Sequence, residues 1–95
     1  MPVTIVTTFV KADASTQNYV NADVVNLVGQ YEQAEKITYR HTSTSADGLI
    51  ETRTRVFANQ AAYDEFINED VIVQNKARRA EWCQDNNVRM TREIR

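Results

Sequence analysis

The chain reads as an α+β domain with the element order β-α-β-β-α-β. Three observations carry this reading. Asp47-Gly48 stands between two alternating runs, apolar residues recur at helical spacing on either side of that pair, and an alternating strand pattern lies at each end of the chain.

The first strand is VTIVTTFV, residues 3–10. Val3, Ile5, Thr7 and Phe9 share one face, and Thr4, Val6, Thr8 and Val10 the other. Both faces are largely apolar, which predicts a central strand covered on both sides. Lys11–Thr16 is a polar connection in which Asp13 or Ser15 can cap the first helix. That helix is expected from about Gln17 to Ala34, with Val20, Val24, Leu27, Val28 and Tyr31 as its apolar stripe. Gly29 inside it costs about 1 kcal/mol relative to alanine, and marks either close packing on the sheet or an early helix end. Glu32 and Lys36 form an i,i+4 pair.

The hairpin is ITYRHTSTSADGLIETRTRVF, residues 37–57. Asp-Gly suits a two-residue type I′ turn, which needs φ > 0 at both positions. That turn puts Tyr39 opposite Val56, His41 opposite Thr54, Ser43 opposite Thr52 and Ser45 opposite Ile50. The other face pairs Thr38 with Phe57, Arg40 with Arg55, Thr42 with Arg53 and Thr44 with Glu51. The Ile37/Tyr39/Val56 face is the apolar one and is expected under the helices. The other is basic, and opposed arginines are unfavourable without a neutral or acidic neighbour.

Asn59 is a good N-cap for a helix over Gln60–Ile67, with Tyr63, Phe66 and Ile67 inward. Asn68-Glu69-Asp70 interrupts the pattern, and Asp70 can cap a second segment, about Val71–Gln84, with Val73, Ala77 and Ala80 inward. A kinked or two-part helix is expected. Asp85-Asn86-Asn87 is the stop, and Val88–Ile94 is the last strand.

Right-handed connections put both helices on one face of a four-stranded antiparallel sheet, the ferredoxin-like arrangement with strand order 4-1-3-2. The opposite face is then expected to carry Arg40, Arg53, Arg55, Arg89, Glu51, Glu93 and Phe57, with either Val6/Val10 or Ile5/Phe9. A sizeable apolar patch is rarely left in water. A second copy docking sheet to sheet would cover it, so a homodimer is expected.

Ninety-five residues suit a single domain, 1–95, with one modest core. Two glycines and one proline argue against a loop-rich fold. No apolar run is long enough to span a bilayer, and MPVTIVTTFV reads as a strand and not a signal peptide, so a cytoplasmic location and no membrane partner are expected. The net charge of −2, with acidic helices and arginine-bearing strands, argues against nucleic-acid binding. An RNA-recognition sheet would need aromatic residues on its open central strands, where Arg53 and Arg55 stand instead. Cys83, the only cysteine, reads as a small apolar residue near a helix end.

Residues 37–72, and above all Arg-Val-Phe followed by Ala-Asn-Gln-Ala-Ala-Tyr-Asp-Glu-Phe and a break at Asn68–Asp70, resemble the dimeric α+β barrel superfamily of antibiotic-biosynthesis-monooxygenase-like domains. The resemblance implies a homodimer with its two sheets face to face around a cavity. Family enzymes include cofactor-independent monooxygenases, haem-degrading enzymes and small isomerases. The haem-degrading members use an asparagine on the first strand, a tryptophan near the third and a histidine on the second helix. The first strand here has no asparagine, the second helix has no histidine, and Trp82 falls late, so that activity is not carried over and no cofactor is expected.

The candidate residues are few. His41, the sole histidine, can act as a base or proton shuttle, but reads first as a structural residue among hydroxyls. No metal site is expected, for want of a second histidine or clustered cysteines. Arg40, Arg53 and Arg55 can hold a carboxylate or phosphate in a bidentate fork, against a plainer role in salt bridges to Glu51, Glu93 or the partner subunit. Trp82, after Arg78 and Arg79, suits cation–π stacking or a packing anchor. Pro2, freed by methionine removal, resembles the N-terminal general base of the tautomerases over about ten residues. The expected function is therefore a small homodimeric binding or accessory protein for an anionic or aromatic ligand, without a recognisable catalytic set. The alternative is a small enzyme, monooxygenase-like or an isomerase, acting on an aromatic or enolic substrate between the sheets, or a proline tautomerase.

Overall fold

A computed structural model describes residues 1–95. The order is β1 (Val3–Lys11), α1 (Ala22–Gln33), β2 (Ile37–Thr44), β3 (Ile50–Phe57), α2 (Gln60–Ile67), α3 (Asp70–Asp85) and β4 (Val88–Ile94). The strands form one antiparallel sheet in the order β2-β3-β1-β4, the expected ferredoxin-like arrangement. The interrupted second helix is two helices, α2 and α3. No helix is long and apolar enough to cross a membrane.

The hairpin register is the expected one from Tyr39–Val56 to Thr44–Glu51, but the turn is not type I′. Only Gly48 has positive φ, at 76°. The Ser45 carbonyl accepts the Gly48 N–H at 3.0 Å, and Ser45 N–H donates to Ile50 O at 2.8 Å. The Asp47 carboxylate accepts from Leu49 N–H at 3.0 Å and from the Ser45 hydroxyl at 2.6 Å. Asp47 thus shapes the loop with its side chain and needs no left-handed backbone.

A register shift between Ile37 and Tyr39 changes which face Ile37 joins. The extra residue moves Ile37 opposite Phe57, and Phe57 pairs Val3. The covered face is therefore built in rows across the sheet. Ile37, Phe57 and Val3 form the first. Arg40, Arg55, Ile5 and Ile94 form the second, Thr42, Arg53, Thr7 and Arg92 the third, and Thr44, Glu51, Phe9 and Met90 the fourth. The expectation that this arginine face points away from the helices is overturned. Phe57 is 1% exposed and Glu51 3%, while Tyr39 is 53% exposed. Ile5 and Phe9 are inward, and Val6 and Val10 outward.

The core lies at the first-row end. Val24, Leu27, Val28 and Tyr31 of α1 and Ala62, Tyr63 and Phe66 of α2 close over Val3, Ile5, Ile37 and Phe57. Phe57 meets Phe66 and Tyr63 edge-on at 5.1 and 5.3 Å between ring centres, geometry favoured by the aromatic quadrupole. Asn59 caps α2 as expected, accepting Ala62 N–H at 2.9 Å.

The helices depart from expectation at three places. α1 begins at Ala22, capped by Asn21, whose side chain takes Asp23 N–H. Val20 lies before it and is exposed. Asp13 instead ties a turn to Ser15. Secondly, Glu32 pairs with Arg40 at 3.2 Å and Lys36 with Glu65 at 2.9 Å, not with each other, because α1 ends before Lys36. Thirdly, the inward stripe of α3 is Ile72, Asn75, Arg79 and Trp82; Val73, Ala77 and Ala80 face solvent. Glu69 precedes α3 without a side-chain cap bond, and Asp70 is its first residue.

Two glycines give opposite expectations. A Cβ at Gly29 would meet nothing within 4 Å, so Gly29 serves neither close packing nor a helix end. Gly29→Ala is expected to raise stability by about 1 kcal/mol. At Gly48 the positive φ makes Gly48→Ala unfavourable by about 1 kcal/mol. Urea unfolding of both variants checks the pair.

Candidate functional site

Between the second and third rows of the sheet and the helices lies a cavity of about 330 Å³. Its apolar wall is Ile5, Val24, Val28, Phe57, Phe66 and Ile72, and its polar wall is made largely of arginine. α1 and α2 pack down on the first row, while α3 meets the fourth row through Trp82, which is edge-on to Phe9 at 6.4 Å. The gap between these two supports is the cavity.

The segment before α1 forms its lip. Asn18, Tyr19, Val20 and Asn21 line it. Tyr19 hydroxyl donates to Asn75 Oδ1 at 2.6 Å, and Asn21 Nδ2 to the same oxygen at 3.0 Å. Asn75 is only 6% exposed, so α3 buries an amide to hold this segment. Lys11, also buried, donates to Thr16 O at 3.1 Å and to Asn18 Oδ1. Trp82 meets Tyr19 with the two rings tilted and their centres 5.5 Å apart. It is a packing anchor, and no arginine lies over its ring.

The expected site arginines differ in how they are satisfied. Arg40 is exposed and bonded to Glu32. Arg53 is held at 2.9 Å by the buried Glu51, donates to Tyr19 O at 2.5 Å, and lies over the Phe9 ring at 4.9 Å. Arg55, half-buried, makes no hydrogen bond and no ion pair. Its one close neighbour of note is the Phe66 ring at 5.7 Å. No buried side-chain nitrogen or oxygen lacks a partner, so the guanidinium nitrogens of Arg55 stay accessible from the cavity. Burial first, and then the charges of Arg53, Arg92, Arg79 and Arg40, pull its pKa down to about 10. An arginine so far below its ordinary value sits in a field that favours an anion.

Two further arginines escape the sequence reading. Arg79 enters from α3 and Arg92 from β4, and both line the cavity. Arg79 is also pulled down, by burial and then by Arg92. Neither makes a hydrogen bond or ion pair. In the sequence Arg92 falls among the alternation of Val88, Met90 and Ile94 on the inward side of β4, which is the available signal for it.

His41 reaches only the rim of the cavity. It is exposed on the outer face of β2, opposite Thr54 and stacked on Tyr39 at 6.4 Å. Pro2 is exposed ahead of β1 and does not line the cavity. Cys83 is half-buried and burial raises its thiol pKa, against nucleophilic use. No group of three or more His, Cys, Asp or Glu is gathered to hold a metal ion.

The architecture has solved counterparts. The chain shares its fold with antibiotic-biosynthesis-monooxygenase-like proteins. A proposed antibiotic biosynthesis monooxygenase from Deinococcus radiodurans superposes with a TM-score of 0.61 at 13% identity, over 100% of this chain and 90% of that one. Protein SO0527 from Shewanella oneidensis gives 0.56 at 15% identity, over 98% and 91%. Rv0793 from Mycobacterium tuberculosis gives 0.51 at 14% identity, over 98% and 93%. At such identities the likeness is one of fold. No family model and no curated protein matches the chain by sequence.

The two central arginines of β3 have opposite energetic roles. Arg53→Met strands the buried Glu51 and is expected to cost about 3–5 kcal/mol. Arg55→Met removes a charge that nothing in the chain neutralises, and is expected to be neutral or to stabilise by about 1 kcal/mol. Chemical denaturation of the ligand-free variants measures both; equal losses would mean that Arg55 has a counter-charge.

Proposed function

We propose that this protein binds a small anionic ligand with an apolar or aromatic body in the cavity between its sheet and its helices, and does so as a homodimer. The observation that carries the reading is Arg55, which faces the cavity with no hydrogen bond and no ion pair beside an apolar wall. Keeping an unpaired charge there disfavours folding. A carboxylate or phosphate oxygen in the guanidinium fork would remove that cost and gain a charge-assisted bond.

The homodimer rests on the outer face of the sheet. Val6, Val10, Val56, Tyr39 and Ile50 stand there among Thr4, Thr8, Thr52 and Thr54, with no helix over them. Tyr39 is 53% exposed and Ile50 40%. Neutral hydroxyls and β-branched side chains on a pleated surface can be desolvated at little cost, and a patch of this kind is seldom left in water. The charges on that side, Arg89, Glu93 and Arg95, lie along β4, where Glu93 and Arg95 pair at 3.1 Å.

The binding reading is preferred to an enzymatic one because, the arginines aside, every acid–base group lining the cavity except the Tyr63 hydroxyl is engaged or at its rim. Glu51 holds Arg53, the Tyr19 hydroxyl is given to Asn75, and His41 is out at the rim. An acid–base or oxygen-using reaction on an enolic substrate would need one of them free.

Trp82 is the only tryptophan and abuts the cavity lip through Tyr19, so its emission reports occupancy. Titration with 2-naphthoate is expected to change that emission saturably. Arg55→Met should weaken the binding by about 10- to 100-fold; unchanged affinity would remove Arg55 from the site. Sedimentation at micromolar concentration is expected to give a dimer, and Val6→Glu a monomer.

A further inference from the structure

One bound negative charge would leave the cavity far from neutral. Arg40, Arg53, Arg55, Arg79 and Arg92 all line it, with Glu51 as the only carboxylate. Glu51 answers Arg53 and Glu32 answers Arg40. Arg55, Arg79 and Arg92 are left without a counter-charge, and they approach from three elements: β3, α3 and β4.

Their placement is specific. Arg53 and Arg92 flank Thr7 in one cross-strand row, so Arg92 stands about 5 Å from Thr7 along the hydrogen-bonding direction. Arg55 is two residues along β3 from Arg53, about 7 Å away. Arg79 comes down from α3 one turn beyond the buried Asn75, which fixes that face of the helix through Tyr19 and Asn21. Thr7 lines the floor among them. Glu51 stands one row further on, beside Phe9, and repels an anion toward the three free guanidinium groups. The apolar wall of Val28, Phe57 and Phe66 lies on the other side of Arg55.

We propose that the ligand is a phosphate monoester, its doubly charged head seated over Thr7 between Arg55, Arg79 and Arg92 and its small apolar or aromatic body against Val28, Phe57 and Phe66. This rests on the cavity being an anion site, and adds the charge and shape of the head. A carboxylate has one charge and two coplanar oxygens, which a single fork satisfies. The head of a monoester carries nearly two charges at neutral pH and three terminal oxygens pointing in different directions, which matches three arginines arriving from three sides. Burial and mutual repulsion hold Arg55 and Arg79 below the ordinary arginine pKa. A dianion among them offsets two of those three charges.

Calorimetric titration of the full chain at pH 8 and fixed ionic strength tests this with five probes: phenyl phosphate, methyl phenyl phosphate, benzoate, phenylmalonate and inorganic phosphate. Phenyl phosphate is expected to bind at least ~30-fold more tightly than the singly charged methyl phenyl phosphate and benzoate. Arg79→Gln and Arg92→Gln are each expected to lower its affinity ~10-fold and to narrow that gap, with Arg92→Lys intermediate. Equal affinity for the monoanions would overturn the doubly charged head and leave the anion cavity standing. Tighter phenylmalonate would overturn the phosphate, and equally tight inorganic phosphate would overturn the ester body. Retained affinity in both glutamine variants with unchanged circular dichroism would overturn the seat. Failure of every aryl anion to bind would overturn this proposal and the anion cavity together.

Discussion

Positive charge beneath the helices, with a single carboxylate lining the same cavity, is the constraint around which the molecule is arranged. Packed on the arginine rows as they pack on the first row, the helices would bury several guanidinium groups together, at a cost no aliphatic contact offsets. The chain separates the two demands. Phe57, Phe66, Tyr63 and Tyr31 form an aromatic cluster at one end of the sheet, with ring centres 5.1–5.3 Å apart along the chain of contacts. At the other end α3 stands off on Trp82 and Phe9. The core holds the sheet and helices together, and the cavity lies where close packing stops.

Glu51 shows how the remaining charge is tolerated. Its carboxylate is nearly inaccessible, and it fixes Arg53 through both Nε and a terminal nitrogen. Arg53 in turn reaches the Tyr19 carbonyl, so an ion pair on the sheet floor also positions the segment ahead of α1. Asn75 makes the second attachment from the opposite side. A polar amide and an ion pair thus clamp a stretch that carries no regular structure between Lys11 and Ala22. These attachments are directional, and they give the lip a defined position where apolar contact alone would leave it free to slide.

Much of the scaffold is legible in the sequence. The strand limits, the strand order, the register of the hairpin and the Asn59 cap all follow from alternation, turn residues and capping chemistry. The facing of the sheet and the phase of α3 do not, and for one reason. The rule that apolar residues point inward puts Tyr39 and Val56 under the helices, and makes Val73, Ala77 and Ala80 the inner stripe of α3. In this protein the inward positions are arginines on β3 and β4, and Asn75 and Arg79 on α3, because they line a cavity. The Thr38 irregularity, which carries Ile37 across to Phe57, completes the inversion. Which side of β1 joins the arginines is set by the β1–β3 register, which puts Ile5 and Phe9 beside Arg55 and Glu51 and does not follow from the strand order.

The inversion also changes what the arginines can meet. On an open sheet they would be available to any polyanion, including nucleic acid. Under the helices Arg53, Arg55 and Arg79 are reached through a cavity of about 330 Å³, while Arg40 and Arg92 are exposed at its edges. The outer surfaces of the helices carry Asp64, Glu65, Glu69, Asp70, Glu81 and Asp85, and the chain as a whole is acidic. Beyond a Debye length of about 10 Å at 0.1 M salt, that exterior charge is screened and does not oppose entry of a small anion. A long polyanion must lie along the surface, close to those carboxylates, and cannot follow its own charge inside. Acidic exterior and basic interior therefore act together as a filter on size, which neither the net charge nor the arginine count describes alone.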